Sequence, residues 1–337
     1  MTYRFKFRPY RHRFVQSLTT SHGIWDIRDG IILNLTDKTG RVGWGEIAPI
    51  SWFGSETIEQ ALDFCRQLPE EITDETIFSI PDELPACQFG FESAWEMGSR
   101  WDGEQTGWGA EENLNLPSAS SSLTYSGLLP AGEAALNQWE KLWQQGYRTF
   151  KWKIGVYAIA NELEIFDILT HSLPTSTKLR LDANGGLSYE EANLWLWTCD
   201  SIKANEEISI EIEFIEQPLP VEQFQEMLEL SICYGTAIAL DESVATLNQL
   251  VTCYQQGWRE IFVIKPAIVG SPSRLRQFCQ QHKIDAVFSS VFETAIARLA
   301  ALQLAAELSQ NNRAVGFGIN HFFEHKETWL QSLWNNL

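Results

Sequence analysis

The fold this sequence predicts is an α/β barrel preceded by a small α+β domain, and two observations carry that reading. After Leu123, short apolar runs that end in a polar residue alternate with amphipathic helical stretches. The polar ends also recur at a steady interval: Asp182, Glu216, Asp241, Lys265 and Ser289 stand 34, 25, 24 and 24 residues apart. Each interval is the length of one strand, one helix and two short loops. Repeated βα units imply a parallel sheet, and so many in a row favour a closed barrel over an open doubly wound sheet.

Met1 to about Leu116 has a mixed texture, and residues 1–116 read as the α+β domain. Met1 to Phe14 alternates aromatic and basic residues, the period of a strand. Strand-like runs at Arg4 to Phe7 and Ile31 to Leu35 precede a Lys38-Thr39-Gly40 turn and Trp44-Gly45-Glu46. A helix opened by Ser55 then presents Ile58, Ala61, Leu62, Cys65 and Leu68 on one face. From Gly98 to Ser122 the chain is rich in Gly, Ser, Glu and Asn without apolar periodicity, which marks a long connection.

Residues 117–318 form the predicted barrel. Its strands are expected at Thr149 to Lys153, Leu179 to Asp182, Glu213 to Glu216, Ile238 to Asp241, Ile261 to Lys265, Ala286 to Ser290 and Ala314 to Phe317. An early strand near Leu123 to Ser126 makes eight. Gly146, Gly235 and Gly257 are expected in the left-handed conformation just past helix ends.

The 337 residues carry 25 Lys+Arg against 44 Asp+Glu, a formal charge of −19. A surface this acidic argues against nucleic acid and anionic membranes as partners, because both are bound by Lys and Arg replacing counterions. The most aliphatic stretch, Ala297 to Leu308, is too short to span a bilayer, and the N-terminus lacks the apolar core of a targeting signal. The six cysteines form no C-x-x-C and no zinc-spaced pair with histidine, so buried free thiols in a cytoplasmic protein are expected. His321 and His325 have helical metal-pair spacing but follow the barrel and read as surface residues.

In barrels of this kind, residues ending the strands converge on one mouth. Here these are Lys151, Lys153, Asp182, Asn184, Glu216, Asp241, Glu242, Lys265, Ser289 and Ser290. Any one alone is ordinarily a solvated loop residue; convergence at repeated spacing changes that. Three consecutive strands deliver one carboxylate each, from Asp182, Glu216 and Asp241. Such a cluster needs a cation, and oxygen-only ligands select a hard one, Mg²⁺ with Mn²⁺ as the alternative. Lys151 and Lys153 leave the same face of their strand, while Phe150, Trp152 and Ile154 pack outward. Adjacent ammonium groups disfavour each other's protonated form, which suits a lysine for proton abstraction. A metal beside lysines fits removal of a proton α to a carboxylate. Asn184-Gly185-Gly186 reads either as a turn or as substrate contact, Ser289 and Ser290 as substrate contacts or helix caps, and Glu242 as a partner for a neighbouring lysine or a cap. Most tryptophans read as core, although Trp44 and Trp52 lie where a ligand could be faced.

As a set, Lys151-Trp152-Lys153, Leu181 to Asn184, Ile215 to Pro218, Leu240 to Ser243 and Ile264-Lys265-Pro266 resemble the enolase superfamily, in its muconate-lactonising-enzyme-like subgroup. Within it, Arg28-Asp29-Gly30, Gly43 to Pro49, Gln88 to Glu92, Val263 to Ser271 and Phe288-Ser289-Ser290 are similar to the o-succinylbenzoate synthase family. That resemblance implies a modified TIM-type barrel under a capping domain, with residues 319–337 returning to the cap. It implies Mg²⁺-dependent syn dehydration of 2-succinyl-6-hydroxy-2,4-cyclohexadiene-1-carboxylate to o-succinylbenzoate, a step toward menaquinone or phylloquinone. It also implies that Lys153 takes the α-proton and then assists departure of hydroxide. Lys265 lies across the ring, and Lys151 holds the pKa of Lys153 down. Mg²⁺ sits on Asp182, Glu216 and Asp241 with Glu242 behind them, and Ser289, Ser290, Asn184 and Arg28 are candidate substrate contacts.

Two other readings compete. An N-acylamino-acid racemase or dipeptide epimerase uses lysines on both faces of the α-carbon, as Lys153 and Lys265 would allow; against the epimerase, Gly316 to Asn320 lacks an acidic D-x-D pair. A non-catalytic carbohydrate or peptide binder would need neither metal nor paired lysines. Because the expected substrate is a small dicarboxylate, a positive pocket is expected in an otherwise negative surface.

Overall fold

The computed structural model describes residues 1–20, 23–99, 123–318 and 333–334. The capping domain is an antiparallel four-stranded sheet in the order β3-β2-β1-β4, built from β1 (Thr2–Thr20), β2 (Gly23–Asp37), β3 (Val42–Ile47) and β4 (Glu71–Thr73). The helices α1 (Ile58–Gln67), α2 (Asp74–Phe78) and α3 (Pro85–Ser99) complete it. The alternation read at Arg4 to Phe7 therefore belongs to a much longer hairpin. Helix α1 begins two residues later than expected: Thr57, not Ser55, caps it, in a reciprocal box with Gln60. Ser55 instead accepts a hydrogen bond from the Ile50 N–H at 2.7 Å. Gly43 and Gly45 have a packing reason, because α3 lies directly on β3. A Cβ at Gly43 would stand 1.9 Å from the Ala94 carbonyl oxygen, and one at Gly45 2.0 Å from that of Gly90.

The barrel strands are β5 (Ser126–Leu129), β6 (Thr149–Lys153), β7 (Lys178–Asp182), β8 (Glu211–Glu216), β9 (Ile238–Leu240), β10 (Ile261–Ile264) and β11 (Asp285–Phe288). They form one parallel sheet in sequence order. The early strand lies three residues after its expected start. The final run, Ala314 to Phe317, is reduced to two parallel bridges, Tyr125 with Val315 and Ser289 with Gly316. These join the sheet's two edges: Ser126 N donates to Val315 O at 3.0 Å and Gly316 N to Phe288 O at 2.8 Å.

Helices α4 (Ala134–Gln144), α5 (Ile159–Ser172), α6 (Tyr189–Ala204), α7 (Phe224–Cys233), α8 (Leu247–Gln255), α9 (Pro266–Val269), α10 (Pro272–His282) and α11 (Ala295–Leu308) follow the strands. Side chains alternate between two environments, as the strand period requires. Outward residues feed the shell between strands and helices, where buried Trp152 stacks on Phe166 and meets Trp195 edge-on. Inward residues Phe214, Ala239, Ile261, Val263 and Val287 form a small separate cluster inside the ring. Below it, toward the strand N-termini, Glu213 takes Arg180 Nε and Arg313 Nη1, each at 2.6 Å, and Arg313 also forks onto Asp285. Gly146 and Gly257 have φ of 97° and 105°, as expected past helix ends. Gly235 does not share that conformation; its N–H donates to Asp200 Oδ2 at 2.8 Å. Five cysteines are buried and all six are free, but Cys233 is exposed, contrary to expectation. Burial pushes the Cys65 and Cys279 thiols up to about 12.

The cap holds the barrel through helix ends, whose first N–H groups lack partners within the helix. Buried Glu46 on β3 accepts from Thr294 N at 2.9 Å and Ala297 N at 3.1 Å, heading α11. Gln88 and Glu92 of α3 accept from Ser271 N and Ser273 N at the head of α10, at 3.1 and 3.0 Å. Among the described residues no helix is long and apolar enough to cross a membrane. Residues 100–122, most of the predicted connection, lie outside the described residues, as do Ile319, Asn320, His321 and His325.

Candidate active site

Strand register assembles the site. Lys153 pairs with Asp182 across β6 and β7, and Asp182 pairs with Glu216 across β7 and β8. Three inward side chains thus stand at one level, at the C-terminal ends of adjacent strands. Asp241 and Lys265 immediately follow β9 and β10. Asp182, Glu216 and Asp241 are 7%, 2% and 2% exposed.

Burial pushes all three carboxyls above their ordinary range, and the neighbouring lysines offset part of that. Lys151 Nζ lies 2.7 Å from both Asp182 Oδ2 and Glu216 Oε1. Burial alone would lower its pKa, yet the three carboxylates outweigh burial and raise it. Lys265 Nζ is bonded to Asp241 Oδ1. Lys153 is half-buried and makes no hydrogen bond or ion pair among the described residues, though its charge reaches Asp182. Of the three lysines, it is the one whose amine is not already spent.

Local strain and hydrogen bonds hold the ligand-bearing loops. Gln217, directly after Glu216, is fully buried with φ of 38°, a conformation that persists only when surroundings over-determine it. Its Oε1 accepts from the backbone N–H of Asp241 and Ser243 at 3.0 and 3.2 Å, and its Nε2 donates to Leu219 O and Ser243 Oγ. One strand end thereby sets the position of the next carboxylate. Gln217 lies within the Ile215 to Pro218 motif, but nothing in the sequence marks it for this task. Asn184, at φ of 45°, donates to Glu242 Oε1 at 3.2 Å, and its N–H donates to Asp182 Oδ1. The other Glu242 oxygen is buried and has no hydrogen-bond partner among the described residues.

Several expected contacts are occupied elsewhere. Arg28 is 2% exposed and donates to the backbone carbonyls of Asp29, Ala48, Pro49 and Phe292. It is an interdomain tie rather than a free anion receptor. Ser290 Oγ donates to Glu293 Oε2 at 2.8 Å and accepts from Phe292 N, so it organises its own turn. The helix cap there is Thr294. Ser289 remains half-buried at the strand end. Trp44 meets Trp334 edge-on, at 4.8 Å between centroids.

The donor set is all oxygen, buried and anionic, which fits a hard divalent cation. Among the described residues, no three acidic, His or Cys groups already form a cage; Lys151 bridges Asp182 and Glu216, and Lys265 is bonded to Asp241. Lysine ammonium groups hold the charge that a cation would take over.

A closed parallel barrel with acids and lysines at its mouth, under an α+β cap, defines a carbon-acid enzyme of the enolase type. Residues 134–332 match the family model described as "Enolase C-terminal domain-like", and residues 10–97 match "MenC, N-terminal domain". The o-succinylbenzoate synthase of Thermosynechococcus vestitus is 40% identical over 323 residues, covering 95% of this chain and 93% of that one. That of Yersinia pseudotuberculosis is 30% identical over 286 residues, covering 84% and 80%. A crystal structure of o-succinylbenzoate synthase from Thermosynechococcus elongatus BP-1, with Mg in its active site, aligns with a TM-score of 0.85 at 38% identity, covering 99% and 100%. The L-Ala-D/L-Glu epimerase of Bacillus subtilis shares the fold, with a TM-score of 0.72 at 20% identity over 96% and 91%. The chain belongs to the enolase superfamily and, within it, to the o-succinylbenzoate synthase family.

Proposed function

We propose that this chain is a cytoplasmic, Mg²⁺-dependent o-succinylbenzoate synthase that dehydrates 2-succinyl-6-hydroxy-2,4-cyclohexadiene-1-carboxylate, on the route to menaquinone or phylloquinone. The observation that carries the reading is the shared level of Lys153, Asp182 and Glu216, with Lys153 the one of the three lysines that makes no ion pair among the described residues. Asp182, Glu216 and Asp241 would hold the cation, and Glu242 stands behind them. When bound, it supplies a Lewis acid for the substrate carboxylate. Mn²⁺, with the same ligand preferences, is the alternative metal.

Lys153, as a free amine, takes the proton from the carbon α to the carboxylate. The electron pair left behind expels the ring hydroxyl on the same face, and the Lys153 ammonium returns its proton to that oxygen, so one water leaves and the ring becomes aromatic. Lys265 places a positive charge across the ring, where negative charge builds. Lys151 compensates Asp182 and Glu216 until a cation takes over that place, and its ammonium stays at the mouth. Ser289 and Asn184 are the remaining candidate substrate contacts. With Lys153 a free amine, the other two lysines and a divalent cation would balance the four carboxylates at the mouth, and the proton that Lys153 takes turns that balance to one net positive charge, which suits a dicarboxylate substrate in a protein of charge −19. The contacts of Trp334 with Trp44 and Arg8 support a return of residues 319–337 to the cap.

The test is aromatisation followed by absorbance, with Mg²⁺ and the cyclohexadiene substrate, beside N-succinyl amino acids as the competing assay. Rapid aromatisation, lost at least about 10²-fold in Lys153→Ala, is expected. Background aromatisation beside fast racemisation would assign the scaffold to the racemases.

A further inference from the structure

Beside the second lysine stands a cap residue that periodicity and motif do not single out. The Phe53 ring faces Lys265, with Nζ 4.0 Å from the ring centroid. Phe53 ends a short 3-10 turn, Ser51–Phe53, closed by Gly54 at φ of 118°.

Both ends of this loop are pinned. Arg28 holds the carbonyls of Ala48 and Pro49, and the Ile50 N–H is held by Ser55 Oγ. Buried Glu56 accepts from Ala86 N and Cys87 N at 3.0 and 2.8 Å, at the head of α3. A Cβ on Gly54 would stand 3.1 Å from Ala245 Cβ, so the loop rests on the segment that follows Asp241. Outward from Phe53 the aromatic contacts continue edge-on to Trp52 at 6.0 Å, from Trp52 to Trp25 at 5.8 Å, and from Trp25 to Phe14 and Phe292 at 5.1 and 5.6 Å.

A lysine side chain is flexible, and here two contacts fix its ammonium: the Asp241 carboxylate and the Phe53 ring. If Asp241 turns to a cation, the ring stays against the ammonium, while Glu242 and Glu216 act on it by charge alone. We propose that Phe53 is a positioning residue for the reaction, holding the Lys265 ammonium over the barrel mouth through the face of its ring. This rests on the reading of Lys265 as a working group.

The experiment compares Phe53→Leu, which keeps apolar bulk without a π face, with Phe53→Tyr, which keeps both. The expected result is a fall in kcat of about tenfold in the leucine variant, the scale of one desolvated cation–π contact, with KM within about twofold and near-complete rescue in the tyrosine variant. A second readout is independent of turnover. In protein carrying ¹³C-labelled lysine, the Lys265 Cε protons should be displaced upfield by the ring, with EDTA or with Mg²⁺, and should relax in Phe53→Leu; Lys265→Met identifies the signal. An active wild type whose Lys265 signal is undisplaced, or a leucine variant with unchanged kcat, overturns the role of Phe53 alone. A wild type that does not dehydrate the substrate overturns the proposed function and this role with it.

Discussion

Lys151 Nζ lies 2.7 Å from Glu216 Oε1, on a carboxylate that the proposed cation requires. Cation loading therefore replaces one positive charge by another. Lys151→Met should leave Asp182 and Glu216 buried and uncompensated, costing about 3–5 kcal/mol in EDTA. Its melting temperature should then rise more on adding Mg²⁺ than that of the wild type. Calorimetric scans in EDTA and Mg²⁺ check this; equal melting of the two proteins in EDTA would refute the exchange.

Gln217 holds Asp241 by its backbone, so its loss should be felt by the metal rather than by the substrate. Gln217→Ala is expected to weaken Mg²⁺ binding about 10–100-fold, the usual effect of losing a group that orients a ligand. Isothermal titration gives the affinity, and a variant that binds as tightly as the wild type would count against the assignment.

Glu46 belongs to the cap yet heads a barrel helix. Glu46→Ala leaves the N–H groups of Thr294 and Ala297 without their acceptor and should destabilise the fold by about 3 kcal/mol, through both the lost cap and the orphaned donors. Denaturant unfolding measures it. Mg²⁺ affinity should hold at the wild-type value, because Glu46 touches none of the three proposed ligands.

The charge network below the barrel core predicts acid sensitivity. Burial pushes the Glu213 and Asp285 carboxyls up, but Arg180 and Arg313 more than offset it and hold both below their ordinary values. Carboxylates depressed in the folded state stabilise it above the unfolded pKa, and that contribution is lost as pH falls through the folded value. Wild-type stability should decline below about pH 4, where unfolded carboxylates begin to take up protons. Arg313→Met should cost about 3 kcal/mol near neutral pH and flatten the acid decline. Denaturant midpoints across pH 2–7 compare the two; parallel acid declines would contradict the prediction.

Much of this was legible in the sequence because strand period and site chemistry coincide. Each barrel strand ends where a hydrophobic run meets a residue that must face the mouth, so Lys153, Asp182 and Glu216 marked both an element and a function. Ser55 and Thr57 were harder to separate: both can cap, and the loop's tertiary contacts give Ser55 to Ile50 instead. Arg28 looked like an anion receptor because sequence shows its charge but not the carbonyls around it. Phe53 carried no signal of its own, since an aromatic residue in a loop declares its role only once Lys265 lies against it.

The closure of the ring has a consequence for the order in which the chain folds. Ser126 and Val315, joined at the seam, are 189 residues apart, and few backbone bonds pass between the last short segment and its two neighbours. Loops this long are expensive to close early, so the βα units should assemble progressively and the seam should zip last. Until then β5 and β11 are open edges, competent to pair with another chain. A nascent molecule is thus most prone to aggregation just before residues 314–317 settle.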